Sequence, residues 1–112
     1  MPSNGLSIKE HEFEEHVMVD ITGEIDIYTC QQLKESLYKI ADTYCKNLIL
    51  DCSGLSYIDS TGLGVFVAVL KKEKMIGCDI KIINLKDSIL KLFLITNLDS
   101  LFNIEHDADG VF

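Results

Sequence analysis

Leu48-Ile49-Leu50, then Asp59-Ser60-Thr61-Gly62-Leu63-Gly64, then Val65-Phe66-Val67-Ala68-Val69-Leu70: a short apolar strand is followed by a polar turn and an apolar helix. The turn places a hydroxyl, Ser60, at a helix N-terminus. Unpaired backbone N–H groups and the positive end of the helix dipole favour negative charge there. Such a position suits either a helix cap or a phosphate.

Working outward, the chain divides into well-separated periodic segments. On the N-terminal side, Leu6-Ser7-Ile8 opens an alternating edge strand that runs into the acidic cluster Glu10, Glu12, Glu14 and Glu15. Val17, Val19 and Ile21 share one face of a second strand that stops at Gly23, close enough to the first for a hairpin. Thr29 and Gln32 have the spacing of a capping box, and Leu33, Leu37, Ile40, Ala41 and Tyr44 recur at helical spacing behind them. Asn47 to Cys52 reads as a short buried strand, and Gly62 to Ile76 as a helix closed by Gly77. Asp79 to Ile83 alternates as a strand. Ile89, Leu90, Phe93 and Leu94 mark a third helix ending near Asn97, and Leu101 to Ile104 a last strand.

The expected order is therefore β-β-α-β-α-β-α-β: one α/β domain over 1–112, its mixed sheet antiparallel at the start and parallel after right-handed crossovers. The central helix is apolar on every side until Lys71-Lys72-Glu73-Lys74. It is either wedged between the sheet and a neighbouring helix, or it offers one apolar side beside Ser60 to a partner.

The bulk numbers narrow the function. A chain of 112 residues with 47% apolar residues and one proline supports a single core. The net charge of −8 opposes direct binding to nucleic acid or to an anionic membrane surface and points to a protein partner. No apolar run reaches membrane-spanning length, and no basic-then-apolar leader opens the chain. The four cysteines, Cys30, Cys45, Cys52 and Cys78, lack the spacing of a zinc or redox motif, so a cytoplasmic protein with reduced thiols is expected.

A nucleophilic Ser60 would need a base within reach, yet His11, His16 and His106 all lie near the termini. Gly54, Gly62 and Gly64 match neither a phosphate-binding Gly-x-x-x-x-Gly-Lys nor a dinucleotide fingerprint. Asp51 reads as a turn former, while Asp26 and Asp59 stay open between turn or cap formation and a functional role.

Gly23-Glu24-Ile25-Asp26, the run Asp59 to Val67, and Leu92-Phe93 followed by Ile95-Thr96-Asn97-Leu98 together resemble the bacterial anti-sigma factor antagonists of the STAS fold, the general-stress and sporulation type. The resemblance covers nearly the whole chain. It implies a STAS domain that binds an anti-sigma factor serine kinase, thereby releasing a sigma factor, and that is switched off when the kinase phosphorylates one serine. A serine phosphatase reverses the switch. The phosphoserine maps onto Ser60, and the resemblance implies a partner-binding surface at Asp26, Asp59, Ser60, Thr61, Gly62 and Leu63. No catalysis, cofactor or metal is implied. Asn97 stands where the family often has Gly, and Leu94 where it often has Asp. Two rival readings stay open, a STAS interaction module in a signalling scaffold and a small phosphate- or nucleotide-handling enzyme.

Overall fold

A computed structural model describes residues 5–105, so His106 lies outside the described residues. The strands are β1 (Leu6–Glu12), β2 (His16–Ile25), β3 (Asn47–Ile58), β4 (Ile80–Ile83) and β5 (Asn103–Glu105). The helices are α1 (Cys30–Tyr44), α2 (Ser60–Met75) and α3 (Asp87–Ile95), with a tight helical turn at Leu98–Ser100. The order is the expected one, and the five strands form one sheet in the order β1-β2-β3-β4-β5. β1 and β2 are antiparallel; every later pair is parallel.

Side chains two apart along a strand share a face. Val17, Val19 and Ile21 therefore join Leu48, Leu50 and Cys52 and then Ile80 and Ile82 in one core. Leu33 and Leu37 of α1, Phe66 and Val69 of α2, and Ile89 and Phe93 of α3 complete that same core, so all three helices cover one face of the sheet. Ile49, Lys81 and Ile83 are buried on the other face, where Lys81 Nζ pairs with the Glu105 carboxylate at 3.4 Å. β4 is accordingly buried throughout rather than alternating.

Several local expectations need correction. β3 does not stop at Cys52 but runs to Ile58, because its second half pairs with β2 through Thr22–Gly54, Gly23–Leu55 and Ile25–Ile58. β2 likewise continues past Gly23 to Ile25. Gly23 has φ +112°, and a Cβ there would lie 2.2 Å from the Gly5 carbonyl oxygen, so glycine serves the strand as an irregularity rather than as its end. The capping box at Thr29 is not formed: Thr29 makes no side-chain cap bond, and Gln32 Nε2 donates to the Leu6 carbonyl at 3.2 Å. Asn97 adopts φ 61°, ψ 17°, the left-handed conformation asparagine tolerates, and Leu94 is 49% exposed on α3.

The central helix is mostly wedged. Leu63, Val65, Phe66, Val69, Leu70 and even Glu73 are buried, while Val67 and Ala68 are half-buried. Glu73 is the surprise in the charged run: it is 0% exposed, and neither carboxylate oxygen has a hydrogen-bond partner.

Candidate functional site

The C-terminal ends of β2 and β3 lie side by side, Ile25 opposite Ile58, and the Asp59 N–H donates to the Ile25 carbonyl at 3.2 Å. Two turns therefore emerge together, Asp26–Thr29 leading into α1 and Asp59–Ser60 leading into α2. This is the end of a parallel sheet where loops gather into binding surfaces.

Asp59 caps α2. Its backbone is extended, and Oδ1 accepts from the N–H groups of Thr61 at 3.0 Å and Gly62 at 3.3 Å. The same oxygen accepts from the Thr61 hydroxyl. Thr61 thus binds the cap carboxylate rather than the helix backbone. The Thr61 hydroxyl, and behind it the Gly62 and Thr61 amides, hold the Asp59 carboxyl below the usual carboxylate range.

Ser60 is the first residue of α2 and is exposed. Its hydroxyl makes no hydrogen bond among the described residues. It therefore stands in solvent at the positive end of the helix dipole, beside the Thr61 and Gly62 N–H groups that Asp59 already engages.

Gly62 and Leu63 face inward. A Cβ on Gly62 would lie 2.5 Å from Ile25 Cγ2 and 2.6 Å from Ile58 Cγ1, so the absent side chain lets the first turn of α2 sit on the two strand ends. Leu63 is 7% exposed and belongs to the core, leaving little of its side chain for a partner. Gly64 differs: it is exposed, and a Cβ there would meet nothing within 4 Å.

Asp26 organises its own turn. Oδ1 accepts from the N–H groups of Tyr28 at 2.9 Å and Thr29 at 3.1 Å and from the Thr29 hydroxyl at 3.3 Å. No hydrogen bond joins it to Ser60 among the described residues; the two turns meet through the Ile25–Asp59 backbone bond. What composition did not reveal is the apolar rim. Ile27 is 67% exposed, Tyr28 89% and Tyr57 49%, all on residues within three positions of Asp26 or Ser60. Both tyrosines carry large area on few rotatable bonds, which suits them to interfaces.

Among the described residues no group of three or more His, Cys, Asp or Glu side chains is placed to hold a metal ion. No helix among them is long and apolar enough to cross a membrane.

The family model described as "STAS domain" matches residues 7–110. The anti-sigma-B factor antagonist of Bacillus subtilis is 35% identical over 105 residues, covering 94% of this chain and 95% of the relative. A crystal structure of an anti-sigma factor antagonist from Mycobacterium paratuberculosis superposes with TM-score 0.80 at 21% identity, over 95% of this chain and 90% of the other. The phosphorylated form of the Bacillus cell fate determinant SpoIIAA superposes with TM-score 0.71 at 16% identity, over 93% and 95% of the two chains. The last two establish likeness of fold. With the family model spanning residues 7–110 and a relative 35% identical over 95% of its own length, the chain belongs to the STAS-domain family.

Proposed function

We propose that this protein is an anti-sigma factor antagonist, a non-catalytic binding module of the cytoplasm. It docks an anti-sigma factor serine kinase on the surface around Ser60 and releases it when Ser60 is phosphorylated. A serine phosphatase restores binding. The observation that carries the reading is the contrast between two adjacent hydroxyls: Thr61 is held by Asp59, whereas Ser60 is exposed and unengaged at the start of α2. The name of the Bacillus subtilis relative supports an anti-sigma factor as the partner.

The chemistry of the switch follows from charge. A phosphate adds about −1.5 to −2 charge at neutral pH. At a helix N-terminus that charge is stabilised by roughly 0.3–1 kcal/mol, so the domain tolerates it. A partner covering the same surface must desolvate it beside Asp59, at high cost unless cations are supplied. Phosphorylation therefore ends binding by occupying the docking surface, not by unfolding it. Asp26 contributes by shaping the turn that presents Ile27 and Tyr28.

The deciding experiment is reconstitution with the cognate anti-sigma kinase and ATP. Wild type should bind the kinase, take up one phosphate and dissociate. Ser60→Ala should bind and stay bound unlabelled. Stoichiometric label on Thr61, or undiminished affinity of the phosphoprotein, would overturn the proposal.

A further inference from the structure

Two of the four cysteines, 33 positions apart in sequence, lie together at the end of the sheet away from Ser60. Cys45 is the C-cap of α1, in the left-handed conformation at φ 52°, and is exposed. Cys78 sits between Gly77 and the start of β4 and is half-buried. Its Sγ lies 3.6 Å from the Cys45 carbonyl oxygen. The two segments are fixed against each other by Leu48 N–H donating to the Asp79 carbonyl at 3.0 Å and Asp79 N–H donating to Asn47 Oδ1 at 2.9 Å. A carbonyl oxygen is about 2.4 Å from its own Cα, which puts Cys78 Sγ at most about 6 Å from Cys45 Cα. Bringing the two sulfurs into bonding distance takes rotation of Cys45, whose Sγ lies 3.6 Å from the Asp42 carbonyl oxygen, and a small shift of the Cys45 turn. The other two thiols lie elsewhere: Cys52 is fully buried in the core, and Cys30 is the first residue of α1, at the opposite end of that helix from Cys45.

We propose that Cys45 and Cys78 form an intramolecular disulfide by exchange with a low-molecular-weight disulfide. The roles divide by environment. Burial, and then the nearby Glu73 carboxylate, push the Cys78 thiol up, so it is the poorer thiolate. The exposed Cys45 thiolate attacks the small disulfide; one S–S bond breaks, one forms, and one small thiol leaves. Cys78, losing its proton to water, then attacks Cys45 Sγ and expels the second small thiol. The protein loses two hydrogens, and one small disulfide becomes two thiols. The bond joins the end of α1 to the entrance of β4. Both points precede the N-terminal ends of parallel strands, whereas Ser60 follows the C-terminal end of β3. Phosphorylation and partner binding should therefore proceed in the oxidised protein, which keeps this inference independent of the proposed function.

The test uses the purified full chain and oxidised glutathione, read by intact mass and non-reducing peptide mapping. The expected result is loss of two hydrogen masses, a Cys45–Cys78 cross-linked peptide, and a raised unfolding midpoint that dithiothreitol reverses. Cys78→Ser should stop at a glutathione adduct on Cys45, and Cys45→Ser should leave Cys78 largely unmodified. A persistent Cys45 adduct in wild type, a cross-link through Cys30 or Cys52, or no reaction at all would each overturn the proposal.

Discussion

One oxygen of the Asp59 carboxylate accepts both the backbone N–H and the hydroxyl of Thr61, so the two residues flanking Ser60 are tied to each other and Ser60 is left outside the arrangement. The cap is thus built around the proposed modification site without using its hydroxyl. Replacing Asp59 by Ala removes three hydrogen bonds from the first turn of α2 and should cost about 1 kcal/mol of stability, seen as a lower urea midpoint. The pH dependence has a definite sign. The carboxyl titrates lower in the folded than in the unfolded chain, so its contribution is complete above the ordinary carboxylate range and is lost as pH falls through it. Asp59→Asn should therefore lose less stability than wild type as pH falls below about 4.

The two glycines of the turn should respond oppositely to alanine. At Gly62 the new methyl would lie 2.5 Å from Ile25 and 2.6 Å from Ile58, both at the ends of packed strands. Such overpacking costs about 1–3 kcal/mol. At Gly64 nothing stands within 4 Å, and alanine in a helix gains up to about 1 kcal/mol over glycine. Thermal unfolding of the two variants should shift in opposite directions. If Gly64→Ala keeps its fold but binds the anti-sigma factor less well, the partner approaches the backbone at that point.

Glu73 should make the folded protein less stable as pH rises. Burial, with Asp79 nearby, pushes its carboxyl up to about 7. The folded state keeps the proton after the unfolded state has released it, so stability falls from the ordinary carboxylate range up to about pH 7 and is level above. Glu73→Gln keeps the shape and removes the titration. Its stability relative to wild type should improve by about 2 kcal/mol from pH 5 to pH 8, in chemical denaturation at both values. An unchanged difference would mean that Glu73 is ionised and solvated in solution.

Phosphorylated protein should give a backbone NMR spectrum altered only around residues 25–29 and 57–65, the two turns joined by the Ile25–Asp59 bond. Ser60→Asp should reproduce part of the loss of affinity, since it carries about half the charge on a shorter arm. Widespread shifts through β1 and α1 would instead indicate a conformational mechanism.

Where local pattern and tertiary placement agree, the architecture was legible. The apolar spacing of Leu33, Leu37 and Ile40 and the alternation of Val17, Val19 and Ile21 are both core faces in the structure. The failures share a cause, in that partners distant in sequence decide them. Ser53, Gly54 and Ser56 look like a loop but lie in β3, where Gly54 fits against Thr22; a Cβ would meet Thr22 Oγ1 at 2.6 Å. Glu73 sits among three lysines and reads as surface, yet helix periodicity turns it inward. Thr29 has the right spacing for a capping box, but its hydroxyl accepts from Asp26 N–H and donates to the Glu24 carbonyl instead. The placement of Asp59, Ser60 and Thr61 at the start of α2 was legible because helix-terminal chemistry is local. The exposure of Ile27, Tyr28 and Tyr57 was not, because nothing in a sequence says which apolar residues lack a neighbour.

The sheet order β1-β2-β3-β4-β5 has a consequence for how the chain acquires its shape. No strand has to insert between two others that have already paired. As the polypeptide leaves the ribosome, the hairpin can close first, and each later helix-and-strand unit adds to the open edge left by the one before it. Pairing with the sequence neighbour keeps loop-closure costs low and favours rapid folding for a sheet with parallel strands. Among the described residues the last addition, β5, is three residues long, a short edge that offers little template for pairing with another copy.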